Sequence, residues 1–255
     1  MLRSRSRPLA LVTGGCRRLG AAVAAALAGA GYDLALHGSH DAEPEPALAA
    51  VLAGADVRWH GFVADFTDPA TATDLFAAVA ARFGRAPDLL VNGASVFGQD
   101  RLADIGVADL TGAYAVNCAA AVLLVQAFVA AGGAGDRSVV NILDQRIAHP
   151  HPDQLSYTLA KLGLAGLTRI GAAGIRMNGV APGLTLATDD YDAGQMARLA
   201  ATMPLGRLST PDDIAAAVLF CAGATGMDRQ ILFVDGGAHL VPFERDFMHL
   251  AGSPE

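Results

Sequence analysis

Tyr157 and Lys161 stand four residues apart in the run "LSYTLAK", and Asp144 lies thirteen residues before the tyrosine. On a helix that step puts the phenol and the ammonium on one face, with Cβ atoms about 5–6 Å apart. A phenol ionises near pH ~10, and a neighbouring ammonium favours its phenolate. Bringing it to about neutrality would take ~4 kcal/mol, at ~1.36 kcal/mol per unit. Tyr157 and Lys161 therefore read as an acid/base pair. Asp144 acts in the opposite sense. An ionised carboxylate only accepts hydrogen bonds. Beside Tyr157 it opposes ionisation and keeps a proton in the pair, which then titrates as a unit.

A second constellation lies near the N-terminus. "TGGCRRLG" spans Thr13 to Gly20, between a short apolar strand and an alanine-rich helix. Glycines here allow positive φ and let a pyrophosphate approach backbone N–H groups at a helix N-terminus. The spacing Gly14, Gly15, Gly20 is not the G-x-G-x-x-G of the standard dinucleotide fingerprint. The second strand ends Leu36-His37-Gly38-Ser39-His40, with no carboxylate before Asp41. An NAD site usually places Asp or Glu there for the ribose 2′-OH. Arg17 and Arg18 occupy the facing turn. A 2′-phosphate takes guanidinium and hydroxyl donors, so the charges favour NADP(H). Which of the two arginines holds the phosphate is left open.

Alternating strands and helices must position these groups. "LALVTGG", "DLALHG", "VRWHGFVADFTD", "PDLLVNGAS", "SVVNILD", "IRMNGVAPG" and "QILFVDGG" read as seven strands. Helical patterns separate the first six, including one long helix through "VADLTGAYAVNCAAAVLLVQAFVAA". Near-continuous apolar strands between helices imply a parallel sheet covered on both faces. The fold class is α/β: a single doubly wound Rossmann-type domain over residues 1–255, with a seven-stranded parallel sheet. Residues 1–7 are expected to be a flexible N-terminus and 241–255 a C-terminal tail. Ligands of such sheets sit at the carboxyl ends of the strands.

Composition narrows the classes. Hydrophobic residues make up 53% of 255 and charged residues 17%, enough for a large core. The net charge of −7, with no basic stripe, argues against nucleic acid. Glycines and charges are expected to interrupt every apolar run before membrane-span length, so no membrane is implied. Cys16, Cys118 and Cys221 are scattered, as in a reduced, cytoplasmic protein. No histidine falls in a metal-ligand pattern, so no metal is expected.

The chain resembles the short-chain dehydrogenase/reductase family over about residues 8 to 240. The pieces that carry the resemblance are the glycine turn, "ADFTD", "VNGAS", "YAVN", Tyr157-x-x-x-Lys161, "NGVAPG" and "VDGG". "TGGCRRLG", "LHGSH", "VNGASVF" and "NILD" resemble its pteridine reductase branch, which carries Asp where the family usually has a catalytic serine. The resemblance implies Asp144, Tyr157, Lys161 and Asn117 as catalytic residues, Asn117 holding a relay water. It implies a cofactor site of Thr13, Gly14, Arg17, Arg18, Leu19, Gly20, His37, Ser39, Asp65, Phe66, Asn92, Gly93, Ala94, Tyr157, Lys161, Pro182 and Gly183. Substrate would meet Arg18, Ser95, Phe97, Asp144 and Tyr157, with Tyr191 in the loop after Pro182-Gly183.

A serine hydroxyl donates to a carbonyl oxygen, whereas a carboxylate would repel the developing oxyanion. Asp144 thus suits a C=N bond, and the resemblance implies dihydropterin reduction to tetrahydropterin with NADPH. Two alternatives stand beside this: another short-chain carbonyl reductase, such as a 3-oxoacyl thioester reductase, and a non-catalytic NADP(H)-binding sensor. Two departures bear on the reading. Asn92-Gly93-Ala94 replaces the family's Asn-Asn-Ala. The helix after Lys161 is about a turn short, and in the family it packs against its own copy. A homotetramer is expected by resemblance, with Leu162, Leu164 and Leu167 at or near a buried helix contact.

Overall fold

The computed structural model describes residues 7–133, 135–188, 191 and 194–250. Seven strands form one sheet: β1 (Leu9–Thr13), β2 (Asp33–Gly38), β3 (Trp59–Val63), β4 (Leu89–Asn92), β5 (Ser138–Ile142), β6 (Arg176–Pro182) and β7 (Ile231–Val234). Their order is β3-β2-β1-β4-β5-β6-β7, all neighbours parallel. The order reverses between β1 and β4, so the carboxyl ends of those strands open a crevice. Register puts Thr13 opposite Asn92, and Asn92 opposite Asn141. Three strand ends that carry motif residues are thereby level.

One face carries α1 (Arg18–Gly29), α2 (Pro46–Gly54) and α8 (Pro211–Gly223). Val12, Leu27, Leu36, Val91, Val180 and Ile214 form the core between them and the sheet. The other face carries α3 (Thr71–Phe83), α4 (Val107–Tyr114), α5 (Ala120–Ala130) and α6 (Leu155–Ile170). Leu11, Phe76, Leu90, Leu124, Phe128 and Met177 fill that side. A short α7 (Gln195–Thr202) lies beyond the carboxyl edge. Neither α7 nor α8 was among the helices expected from pattern. Pro211, the Thr210–Asp213 capping box and buried Ile214, Val218 and Cys221 explain α8 in retrospect.

Three expectations need correction. The long helix is not continuous α-helix: residues Ala115–Ala119 form a π-turn between α4 and α5. Such bulges insert one residue and turn side chains out of phase, and here the turn contains Asn117. Second, Val107–Ala130 is 24 residues long and apolar enough to cross a membrane by length and composition. Ala120, Leu124, Val125 and Phe128 instead pack into the core against the sheet and α3. Third, Leu164 packs into the chain's own interior with Leu143 and Ala181, and Leu162 and Leu167 flank that cluster. The apolar residues that α6 exposes are Leu159 and Ile170.

Candidate active site

The glycine turn is built by close approach. A Cβ on Gly20 would come within 1.9 Å of the Gly14 carbonyl oxygen, and Gly14 itself sits at φ 65°. His37 holds the turn from behind. Its Nδ1 accepts from the Gly14 N–H at 3.2 Å, and its Nε2 faces the Ala64 carbonyl at 2.8 Å. Those partners fix the neutral Nε2–H tautomer. Burial lowers the His37 pKa, and the ring stacks on Phe66 with centroids 4.3 Å apart. Both nitrogens are thus engaged by the protein, although the ring also borders the cleft.

Arg18 adopts φ 54°, and its N–H donates to Glu45 Oε2 at 2.9 Å. A non-glycine residue there costs on the order of 1–3 kcal/mol, a strain common at functional sites. The Arg17 guanidinium pairs with Asp41 at 2.6 Å on the exposed rim. Ser39, Asp65 and Phe66 border the same end, and the Asp65 Oδ1 caps the Thr67 N–H.

Thr13, Asn92 and Asn117 sit behind the wall rather than on it. Thr13 Oγ1 accepts from the N–H groups of Gly93 and Ala94 at 3.0 and 3.1 Å. A Cβ on Gly93 would lie 2.8 Å from the Thr13 carbonyl oxygen, which explains glycine at that position. Asn92 donates to Asn141, and Asn141 to Thr168 on α6, a polar ladder that fixes α6 to the sheet. Asn117 Oδ1 accepts from Ser95 Oγ and the Val96 N–H at 2.7 and 2.9 Å, and its Nδ2 donates to the Val96 carbonyl. The π-turn thus directs Asn117 to hold the loop after β4. A small cavity of about 10 Å³, at the lower limit for a single water, lies between Asn92 and Asn117. Lys161 is not among its walls.

Tyr157, Lys161 and Asp144 do converge. Asp100 sets the start of α6, accepting from the Ser156 N–H and Oγ. Asp144 caps a 3₁₀ turn at Gln145–Ile147 through the Arg146 N–H. The Tyr157 hydroxyl donates to Asp144 Oδ2 at 2.9 Å, and the Lys161 ammonium donates to the Ile142 carbonyl at 2.9 Å. Burial, reinforced by the Asp144 charge, pushes the Tyr157 hydroxyl well above the ordinary phenol range. Burial pulls Lys161 down to about 8 despite Asp144. Tyr157 is therefore held as a protonated phenol, as a carboxylate neighbour requires, and not as the lysine-stabilised phenolate.

One cleft of about 840 Å³ joins the glycine turn to this group. Phe97 stands edge-on to Tyr157, ring centroids 4.8 Å apart, and is 47% exposed, so it is pocket rather than core. Gly93, Ala94, Ser95, Pro182, Gly183 and Tyr191 border the cleft with Leu19 and Gly20. The cleft fits a dinucleotide: a glycine cradle that a Cβ would fill, a helix N-terminus, and room beyond it toward Tyr157. Among the described residues, no group of three or more His, Cys, Asp or Glu side chains could hold a metal.

Sequence reasoning missed two contributors. Residues 241–250 fold back, and Asp246, Phe247 and Met248 border the cleft. Arg146, 5% exposed, pairs with both Asp144 and Asp246. It also missed a signal in the composition. Lysine occurs once among the 18 basic residues, and it stands at position 161. A buried lysine can shed its charge near neutrality, whereas arginine cannot.

The comparisons agree with this geometry. A family model described as enoyl-(acyl carrier protein) reductase matches residues 15–239. D-threitol dehydrogenase of Mycolicibacterium smegmatis is 33% identical, covering 90% of this chain and 92% of its own. Pteridine reductase 1 of Leishmania tarentolae is 32% identical, covering 94% and 99%. Among solved structures, FolM alternative dihydrofolate reductase 1 from Brucella suis, in complex with NADP, superposes with a TM-score of 0.82. It is 30% identical, over 92% of this chain and 96% of that one. Sheet order, strand-end site and near-full-length similarity agree: this chain is an oxidoreductase of the short-chain dehydrogenase/reductase family.

Proposed function

We propose that this protein is an NADPH-dependent reductase of a C=N bond in a dihydropterin. The observation that carries the reading is the Asp144–Tyr157 hydrogen bond at 2.9 Å. It puts an acceptor where a carbonyl substrate needs a donor. Likeness to a pteridine reductase and to an NADP-bound alternative dihydrofolate reductase supports it.

NADPH supplies the hydride when bound. Gly14, Gly20 and the start of α1 would hold its pyrophosphate, Arg17 and Arg18 its 2′-phosphate, and Lys161 its ribose hydroxyls. Carbon of the C=N bond gains the hydride, and nitrogen gains one proton from the Tyr157/Asp144 pair. Solvent returns that proton, so dihydropterin, NADPH and H⁺ become tetrahydropterin and NADP⁺. Tyr157 keeps its proton at neutral pH because burial and Asp144 disfavour the phenolate. Phe97 offers a ring face to a flat heterocycle.

The experiment is NADPH oxidation by the purified protein, run in parallel on a dihydropterin, a 3-oxoacyl thioester and a polyol such as D-threitol with NAD(P)⁺. Turnover confined to the thioester or the polyol would overturn the pterin reading. The same reading expects a cytoplasmic homotetramer, with Tyr114 on α4 and Leu159 and Ile170 on α6 meeting a second copy. Light scattering at micromolar concentration tests the assembly.

A further inference from the structure

We propose that Arg146 is the positioning residue of this site: its buried guanidinium aims the Asp144 carboxylate at Tyr157 and ties the C-terminal wall of the cleft to the acid/base pair. As a statement about rate, this rests on the reduction proposed above; as a statement about charge, it does not.

Asp144 has two oxygens with different partners. Oδ1 accepts from the Arg146 N–H at 2.9 Å and from Arg146 Nε at 3.2 Å. Oδ2 is left to the Tyr157 hydroxyl. The rotation of the carboxylate is thus set by Arg146, and with it the direction in which the phenol proton points. The rest of the guanidinium is used as well. Nη1 donates to Gln154 Oε1 at 3.1 Å, with Thr158 Oγ1 at 3.4 Å, and Nη2 donates to Asp246 Oδ2 at 2.8 Å. Gln154 and Thr158 belong to the start of α6, which also carries Tyr157. Asp246 caps the turn Phe247–His249, and Phe247 and Met248 border the cleft. Only a planar fork with donors on three sides can join these elements; a lysine offers a single point.

The charge reaches further. The Arg146 carbon lies 5.0 Å from the Tyr157 ring centroid and 5.3 Å from that of Phe97. Burial disfavours the Arg146 charge, but Asp144, Tyr157 and Asp246 outweigh it and raise its pKa. In return its positive charge opposes both the phenol proton of Tyr157 and the ammonium of Lys161. The groups that share this field are Asp144, Tyr157, Asp246 and His151 around Arg146, with Asp144 and Cys118 around Lys161.

The sole lysine makes the test direct. Protein labelled with ¹³C-lysine gives one side-chain signal, that of Lys161, whose titration needs neither substrate nor cofactor. Arg146→Gln alone strands two carboxylates and can fail to fold. The comparison is therefore Asp246→Asn against Arg146→Gln/Asp246→Asn. Both loosen the C-terminal tie, and only the second removes the cation beside Asp144. The Lys161 midpoint should lie near 8 in the wild type and higher in the double variant than in Asp246→Asn. The double variant should also lose about 10²-fold in dihydropterin kcat relative to Asp246→Asn, the cost of a slightly misplaced group, with NADPH Kd unchanged. Equal Lys161 midpoints in the two variants would overturn the proposal, as would equal kcat values. A wild type that turns over no dihydropterin would sink the reductase reading, and the lysine titration would still decide the role of Arg146.

Discussion

The Tyr157 hydroxyl donates to Asp144 Oδ2 across 2.9 Å, and Lys161, one helical turn on, donates to the Ile142 carbonyl instead of to either. The phenol is thereby an acid whose proton is held by an anion. The Lys161 ammonium lies 5.4 Å from the centroid of the Tyr157 ring and makes no hydrogen bond to its hydroxyl.

Asp144→Asn is expected to lose ~10²–10⁴-fold in kcat on a dihydropterin, the usual worth of positioned acid catalysis, with NADPH binding retained. Asp144→Ser restores a hydroxyl donor and should give weak carbonyl reduction. Near-full activity of Asp144→Asn in steady-state assays would reduce Asp144 to a structural acceptor.

For the wild type, kcat should fall as pH rises through about 8, where Lys161 loses its charge. The sign follows from burial: it depresses the lysine, so the ammonium proposed to hold the ribose hydroxyls is lost early. A profile flat to pH ~10, where an ordinary lysine titrates, would contradict the buried placement.

The Arg17–Asp41 pair at the exposed rim is where a 2′-phosphate preference is to be tested. Arg17→Ala should weaken NADPH by roughly tenfold or more, as loss of a charged donor does, and NADH much less. Asp41→Asn frees the guanidinium and removes a like charge, so NADPH should bind tighter. Fluorescence titration of both cofactors against both variants decides it; equal loss for the two cofactors in Arg17→Ala would remove the 2′-phosphate from this corner.

Phe97→Ala should raise the KM for a dihydropterin several-fold, since an aromatic pair adds ~0.5–1.5 kcal/mol beyond buried area. NADPH affinity should hold. A fall in cofactor binding instead would mean that the ring supports the loop after β4.

His37 is folded neutral, its pKa lowered by burial. The unfolded chain binds a proton near pH ~6.5 and the folded one does not. Stability should therefore be full above ~6.5 and decline as pH falls below it. Chemical denaturation of the wild type and His37→Gln on either side of that pH measures the difference, and parallel stability curves would show that the ring does not titrate on unfolding.

Much of this was legible in the chain because it is local. Short apolar runs such as "LALVT" and "SVVNI", bounded by turn residues and alternating with helical patterns, read as buried parallel strands. Tyr157 and Lys161 share a face by helical arithmetic alone. What escaped was long-range. Nothing near Arg146 in sequence announces Asp246, and nothing near Asn117 announces that a π-turn points it at Val96 rather than at Lys161. Thr13 and Asn92 were found by motif, yet they work from behind the wall, because register, which no local pattern encodes, sets Thr13 against Asn92 and Asn92 against Asn141.

The Arg146–Asp246 bridge spans 100 residues. A chain synthesised at ~5–20 residues per second makes the arginine roughly 5–20 seconds before its second carboxylate exists. Until then strands β1 to β6 can be in place, with the buried arginine paired to Asp144 but short of its second carboxylate. Completion of the site therefore waits until Asp246 has been made. A product ending before residue 246 would carry the sheet, the glycine turn and Tyr157, and would lack the anion that seals them.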